Sequence, residues 1–141
     1  MKKEELLAVA EEVLEAWNKQ DVEAVVACYT PDCSYWDPNT RGSVVGREAF
    51  RKYLRRLFGQ WQMHWSLREL FPFEDGLGGA FLWRARLTPA SGGRTVEVDG
   101  MDLVLVEGRK LRRNEVYFDR AALLASPRDQ KRKRMPTPVE T

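Results

Sequence analysis

The sequence predicts one α+β domain in which a curved antiparallel sheet wraps around three N-terminal helices. In most of the first 60 residues, apolar side chains recur at steps of three and four, as on one face of a helix. From residue 63 onward the period changes to two, which is typical of strands with one buried face. The chain of 141 residues is long enough to bury its own apolar core, and helices followed by strands indicate a layered α+β arrangement.

Three helices are expected in the N-terminal half. The first has an apolar face that runs from Leu6 to Trp17. Asp21 can cap a second, short helix by accepting a hydrogen bond from an unpaired backbone N–H. That helix is expected to end at Thr30–Asp32, because the residue before a proline disfavours the helical conformation. A third helix is expected over Gly46–Gln60, with basic residues on the side opposite its apolar face.

The strands follow from alternation and from turn residues. A short strand over Cys33–Asp37 stops at Pro38, and a loop covers Asn39–Val45. The later strands are predicted near residues 63–68, 81–87, 95–107 and 111–118. Asp99–Gly100 in the middle of a long strand indicates a bulge or bend, and Asp119–Ala125 is expected to form a closing helical turn.

Composition and charge exclude several classes of protein. No stretch of about 18 apolar residues is present, so no membrane span is expected, and the Glu-rich N-terminal helix does not resemble a signal peptide. Cys28 and Cys33 match no metal or redox spacing. We therefore expect reduced thiols in a cytoplasmic protein.

The formal net charge of +2 comes from the C-terminus. Residues 126–141 carry five basic and two acidic side chains, a charge of +3, which leaves about −1 for the remainder. We therefore expect a globular domain over residues 1–125 without a nucleic-acid-binding face, followed by a flexible basic tail. The alternatives for the tail are a nucleic-acid or sorting signal and a segment that recruits a partner.

The strand over Met101–Val106 is apolar on both faces. One face can pack against the helices or line a pocket, and the other then needs a second cover. A second copy of the chain is the expected cover, which predicts a homodimer through the outer face of the sheet.

Two carboxylates could carry chemistry. Asp37 ends the first strand, and Asp102 lies within an apolar strand, where an unpaired charge would cost several kcal/mol. Such an acid finds a donor or stays protonated, and two acids in different environments can divide the roles of acid and base. The structural alternatives are a turn-forming Asp37, and an Asp102 that pairs with Arg84, Arg86 or Asn114 or marks a bulge. His64 is the one histidine, is expected to face outward, and cannot form a metal site by itself.

Several short segments carry a resemblance to a known family. They are Trp17-Asn18-Lys19-Gln20-Asp21, Tyr29-Thr30-Pro31-Asp32, Trp36-Asp37-Pro38, Gly46-Arg47-Glu48-Ala49-Phe50, Gly100-Met101-Asp102, Gly108-Arg109-Lys110 and Val116-Tyr117-Phe118-Asp119. The chain to about Ala125 resembles the nuclear transport factor 2-like superfamily, in its SnoaL-like and ketosteroid-isomerase-like branch. The resemblance implies a cone-shaped, cystatin-like α+β barrel.

The resemblance also implies roles for individual residues. Asp37 falls on the proton-shuttling base of ketosteroid isomerases, and Asp102 falls on the protonated acid of their oxyanion hole. Val13 falls on their oxyanion tyrosine and has no donor, which makes steroid isomerisation doubtful and leaves cyclase-like chemistry open. The Arg-x-Asp pair of the epoxide-hydrolase branch is replaced by Arg84-Ala85-Arg86, which disfavours that branch.

The resulting hypothesis is an isomerase- or cyclase-like enzyme that acts, without a cofactor or metal, on a small apolar carbonyl compound. Asp37 would remove a proton next to the carbonyl, and neutral Asp102 would stabilise the enolate. The walls of the hydrophobic pocket would be formed by Trp17, Tyr53, Trp65, Trp83, Asn114 and Phe118. The alternative is a non-catalytic ligand-binding or dimerisation module of the same fold.

Overall fold

The computed structural model describes residues 1–123, which form three helices and six strands. Their bounds are α1 Lys3–Lys19, α2 Val22–Ala27, β1 Tyr29–Trp36, β2 Val44–Val45, α3 Arg47–Gln60, β3 Trp61–Pro72, β4 Gly78–Pro89, β5 Val96–Glu107 and β6 Lys110–Tyr117. A 3₁₀ turn, Arg120–Leu123, follows β6. The predicted tail over residues 126–141 and its boundary at residue 125 lie outside the described residues.

The strands form one curved, unclosed sheet in the order β2-β1-β6-β5-β4-β3. Strands β3 to β6 pair antiparallel with their sequence neighbours, whereas β1 lies parallel to β6. The α+β fold class is confirmed. The two-residue strand β2 and the parallel β1–β6 pair were not predicted, because both depend on pairing between segments rather than on local pattern.

The second helix ends earlier than Thr30–Asp32. It stops at Ala27, and Tyr29 is already the first residue of β1. The register between β1 and β6 shifts between Tyr29 and Ser34, so Pro31 lies where the ladder is interrupted. A proline in such a place removes no ladder hydrogen bond, which explains how β1 extends across it.

The bulge predicted at Asp99–Gly100 is wrong. The β4–β5 register continues through these residues without a shift. The irregularities occur instead between Leu67 and Glu69 and between Leu105 and Val106. Gly100 is required for space, since a Cβ atom there would lie 2.5 Å from Cη2 of the Trp83 ring.

Two side-chain amides pair with the outer edge of β3. The Asn18 amide accepts from the Trp65 N–H at 2.7 Å and donates to the Trp65 carbonyl at 3.1 Å. Gln20 accepts from the Met63 N–H and donates to the Trp61 carbonyl, both at 2.8 Å. These four bonds replace those of a neighbouring strand, and they position the inward-facing side chains of β3.

The apolar core lies between the helices and the concave face of the sheet. The inward residues of β4 are buried, among them Phe81, Trp83 and Ala85. The outer face remains accessible at Met101 and at its cross-strand neighbour Tyr117. His64 also faces outward and is exposed, as expected. No helix within residues 1–123 is long and apolar enough to cross a membrane.

Candidate active site

Two adjoining cavities lie on the concave side of the sheet. One is lined by Asp37 and the other by Asp102, and we call them the Asp37 compartment and the Asp102 compartment. They share four wall residues: Trp17, Tyr35, Trp65 and Val116. Each cavity has a volume of about 20 Å³. Both compartments are therefore narrow, and most of the surface that lines them is apolar.

Asp37 is held by four hydrogen bonds at the end of β1. Its Oδ1 atom accepts from the backbone N–H groups of Asn39 at 2.7 Å and Thr40 at 3.1 Å. Its Oδ2 atom accepts from the hydroxyl of Tyr35 at 2.7 Å and from that of Tyr53. Asp37 therefore does form a turn, as one alternative predicted, through the backbone bonds to Oδ1. Its other oxygen, Oδ2, accepts hydrogen bonds from two buried tyrosines. Asp37 itself is only 3% exposed.

The two tyrosines remain hydroxyl donors across the ordinary pH range. Burial, followed by the nearby charge of Asp37, raises the pKa of Tyr35 and that of Tyr53 well above the usual range. A carboxylate offers about four acceptor positions, and all four are occupied in Asp37. A substrate proton can therefore reach Asp37 only if one of these donors moves away.

Asp102 lies in the middle of β5, opposite Phe81 on β4 and Val116 on β6. Its Oδ1 atom accepts from the indole N–H of Trp83 at 2.8 Å. Burial raises the pKa of Asp102, the donors of Trp83 and Asn114 lower it in part, and the charge of Asp37 adds a smaller increase, which together leave it at about 7. Asp102 therefore exchanges its proton near neutral pH, unlike an ordinary aspartate.

One structural alternative predicted an ion pair between Asp102 and Arg84, but Arg84 pairs with Asp99 instead. Residues alternate between the two faces of β5, so Asp99 lies on the outer face and Asp102 on the inner face. Arg84 donates from Nε to Asp99 Oδ1 at 2.6 Å on the outer face. The inner acid is left with aromatic and amide neighbours and without a cation among its named contacts.

A hydrogen-bond relay fixes Asn114 beside Asp102. The Trp17 indole N–H donates to the Tyr29 hydroxyl at 3.3 Å, and that hydroxyl donates to Asn114 Oδ1 at 2.7 Å. Asn114 is 1% exposed. The oxygen of the Asn114 amide is therefore occupied by Tyr29. Its amide nitrogen acts as a donor to Asp102, which lowers the pKa of that acid.

The predicted site residues are brought together, with one displaced. Trp17 and Trp65 line both compartments, and Phe118 lines the Asp37 compartment. Trp83 and Asn114 line the Asp102 compartment. Tyr53 lines neither cavity and instead donates to Asp37 Oδ2, the oxygen that also accepts from Tyr35.

Tyr35 is the main site residue that sequence reasoning missed. It lines both compartments and donates to Asp37. A signal was available, because Tyr35 precedes Asp37 by two positions and residues two apart on a strand share a face. The same rule identifies Val116 from Asn114.

The described residues do not form a metal-ligand cluster. Within residues 1–123 there is no group of three or more His, Cys, Asp or Glu side chains placed to hold a metal ion. The polar side chains that line the two cavities are two amides, two carboxyls, one tyrosine and four tryptophans.

An open curved sheet around three helices is the architecture of nuclear transport factor 2-like proteins. Residues 10–114 match the SnoaL-like domain. The match covers most of the chain, and the chain belongs to this family. None of the curated proteins compared with the sequence matches it significantly.

Solved structures with this fold have varied functions. A nuclear transport factor 2-like protein of unknown function from Burkholderia pseudomallei is 21% identical, over 88% of this chain and 96% of that one, with a TM-score of 0.75. The epoxide hydrolase/cyclase-like enzyme SalBIII, which takes part in pyran ring formation in salinomycin, is 20% identical over 85% and 95%, with a TM-score of 0.76. A Mycobacterium tuberculosis protein in complex with estradiol-17β-hemisuccinate is 16% identical over 83% and 95%, with a TM-score of 0.71. At these identities the likeness shows the fold alone.

Proposed function

We propose that the protein is a cofactor-independent enzyme that moves a proton next to the carbonyl of a small, largely apolar substrate. The observation that supports this most directly is a pair of acids, buried Asp37 and half-buried Asp102, in adjoining compartments with common walls. One acid accepts four hydrogen bonds, and the other has a pKa raised to about 7 by burial. Two acids in such different environments can act as base and acid at one pH.

In this mechanism Asp37 removes a proton from the carbon next to the carbonyl. The C–H electron pair becomes the enolate double bond, the carbonyl oxygen gains the negative charge, and the proton passes to Asp37 Oδ2. Protonated Asp102 donates a hydrogen bond to that oxygen, and Asp37 returns its proton to a carbon of the enolate. Acid–base assistance of this kind contributes about 10²–10⁴ in rate, and donors at the oxygen add to it.

Asp37 can act as a base only after it loses one tyrosine donor. Tyr35 lines both compartments, so a substrate entering them can displace its hydroxyl from Oδ2. Tyr53 lines neither compartment and can continue to orient the carboxylate. We therefore assign Tyr35 as the exchangeable donor and Tyr53 as the positioning residue.

The proposal is tested by measuring hydrogen exchange next to the carbonyl of simple ketones, which does not require the natural substrate. A panel of enolisable ketones in D₂O is followed by NMR for loss of the hydrogen next to the carbonyl. The substitution Asp37→Asn should lower the exchange rate about 10²- to 10⁴-fold. Asp32→Asn, at an exposed position of the same strand, is the matched control and should have no effect. Equal exchange rates in both variants and wild type would remove Asp37 from the mechanism.

A non-catalytic binding module is the second candidate. It is favoured by the small volume of each compartment, about 20 Å³, and by the full set of hydrogen bonds on Asp37. This candidate predicts that ligands bind without hydrogen exchange. Ligand binding combined with exchange at the rate of the buffer would therefore decide for the binding module.

We propose a homodimer through the outer face of the sheet. Met101 is 37% exposed and Tyr117 is 43% exposed at opposed positions of β5 and β6. The ring of Trp36 lies 5.1 Å from that of Tyr117, which extends the apolar area to β1. Sedimentation equilibrium should give twice the chain mass, and Met101→Lys should give the mass of one chain. A monomeric wild-type protein would contradict the proposal.

We also propose a cytoplasmic location. Its support is chemical: Cys28 and Cys33 are free thiols, as is usual in a reducing compartment. Fractionation of cells that express the full chain, with thiol alkylation before lysis, tests both points. Recovery of an oxidised form outside the cytoplasm would contradict the assignment.

A further inference from the structure

The Asp37 compartment opens to solvent on one side. Its inner wall, which includes Tyr35 and Leu57, is buried. Another part of the wall is accessible, since Asn39 is exposed and Phe118 and Leu123 are half-buried. We call the opening beside these three residues the mouth. A ligand that is longer than the compartment places its far end there.

Arg120 holds its guanidinium at the mouth. It begins the 3₁₀ turn that carries Leu123, and its Nε donates to Asn39 Oδ1 at 2.9 Å. A guanidinium has five N–H donors, and this bond uses one of them. Within residues 1–123, Arg120 makes no other hydrogen bond and no ion pair. The neighbouring acid, Asp119, accepts from the Ala121 N–H at 3.0 Å.

Arg56 approaches the same compartment from α3. It directly precedes Leu57, and it follows Tyr53 by three positions, which makes Arg56 and Tyr53 neighbours on the helix surface. The Tyr53 hydroxyl donates to Asp37. Burial and the charge of Asp37 raise the pKa of Tyr53, and the positive charge of Arg56 opposes part of that rise. The guanidinium of Arg56 therefore lies within electrostatic reach of the Asp37 carboxylate.

The charge of Arg56 is not used by the described part of the chain. Arg51, on the same helix, pairs with Glu23 at 3.0 Å and with Glu48 at 3.7 Å. Arg56 is exposed and makes no hydrogen bond or ion pair within residues 1–123. Either arginine alone would be an ordinary solvated side chain. Two of them beside one narrow apolar cavity indicate a binding role.

The chemistry of these side chains selects the ligand group. The planar fork of arginine matches a carboxylate, which accepts two parallel N–H bonds. A positive charge beside a cavity of low dielectric attracts an anion more strongly than it does in open water. The negative charges of Asp37 and Asp119 are close by, so a singly charged group gains more than a phosphate.

We propose that Arg56 and Arg120 form a subsite for the carboxylate of an apolar substrate, at the mouth of the Asp37 compartment. This inference rests on the proposed function for the other end of the substrate, where the carbonyl lies inside. The substrate class is then an apolar keto acid whose carboxylate is separated from its carbonyl by a short hydrocarbon chain.

The test compares two ligands that differ only in charge at one end. 4-Benzoylbutyrate has a ketone, one exchangeable CH₂ next to it and a distant carboxylate, and its methyl ester lacks the charge. Dissociation constants are measured by quenching of tryptophan fluorescence, and the preference is the ester constant divided by the acid constant. The substitutions Arg56→Gln and Arg120→Gln should each lower this preference about three- to tenfold, the effect of one partly exposed arginine–carboxylate contact.

Arg55→Gln is the matched control. Arg55 is exposed and adjacent to Arg56 on α3, but its side chain leaves the helix about 100° away from that of Arg56. The control removes the same charge from the same helix, so it should leave the preference unchanged. Arg56→Lys keeps the charge and should retain part of the preference. The ratio cancels changes in the compartment that affect both ligands.

The outcomes separate this inference from the proposed function. A preference that falls in Arg56→Gln and Arg120→Gln and not in Arg55→Gln supports the subsite. Equal losses in all three variants overturn it and indicate attraction by net charge alone. Equal binding of acid and ester by the wild type also overturns it, and hydrogen exchange next to the ketone would then still support the enzyme. Binding of neither ligand contradicts both proposals. A preference for the acid without hydrogen exchange supports the subsite and contradicts the enzymatic proposal.

Discussion

The replacement Asp102→Asn should make the protein more stable at alkaline pH. Burial raises the pKa of Asp102 from 3.8 to about 7, so the folded chain binds this proton more tightly than the unfolded chain. The free energy of unfolding then falls as pH rises through the window from about 4 to about 7, and the penalty is complete above it. Asparagine carries no charge at any pH in this range, and its amide oxygen can still accept from Trp83.

The magnitude follows from the width of that window. A difference of about three pH units corresponds to roughly 4 kcal/mol, of which the part between pH 5 and pH 8 is about 3 kcal/mol. Asp102 borders a cavity, where water screens the charge, so we take about half of that part, roughly 1.5 kcal/mol, as the minimum. Asp102→Asn should therefore gain about 1.5–3 kcal/mol over wild type between pH 5 and pH 8.

Urea denaturation of both proteins at pH 5 and pH 8 measures this double difference. Other carboxylates titrate in both proteins and cancel. Asp32→Asn, which removes an exposed carboxylate, should show no comparable difference. If Asp102→Asn and wild type keep the same difference in stability at both pH values, Asp102 is not a buried acid with a raised pKa. Its role as a neutral donor would then be refuted.

Three further outcomes follow from the contacts. Gln20→Ala removes two hydrogen bonds to the edge of β3 and should lower the free energy of unfolding by about 1–3 kcal/mol in urea titrations; no loss would show that water replaces the amide. Gly100→Ala places a Cβ 2.5 Å from the Trp83 ring and should lower the melting temperature, whereas Gly59→Ala, in a helix with nothing within 4 Å, should raise or preserve it. Equal effects of the two glycine substitutions would contradict this account. Trp83→Phe removes a donor that lowers the pKa of Asp102, so carboxyl ¹³C titration should give a value above that of wild type, and a lower value would contradict the assignment.

The sequence by itself determined the three helices, the longer strands and the two candidate acids. Periods of 3.6 and 2 place the three helices and the long strands, because burial of one face imposes those spacings wherever the core lies. Alternation does not place Asp102, because the strand over Met101–Val106 is apolar on both faces, and the prediction that it lies in the pocket came from the resemblance to the family. The same resemblance correctly predicted the α+β fold and the SnoaL-like membership.

Only the tertiary structure decided how the acids are surrounded. The hydroxyl of Tyr53 reaches Asp37 from another element, and Asn114 is fixed by Tyr29 over 85 positions of sequence. Gly100 was mistaken for a bulge because its neighbour across the sheet, the Trp83 ring, is not visible in the local pattern. Hydrogen bonds and desolvation act over a few ångströms in space, whatever the separation along the chain. The pattern of residues therefore identifies the candidate acids. Their protonation states and hydrogen-bond partners depend on which distant side chains folding brings beside them.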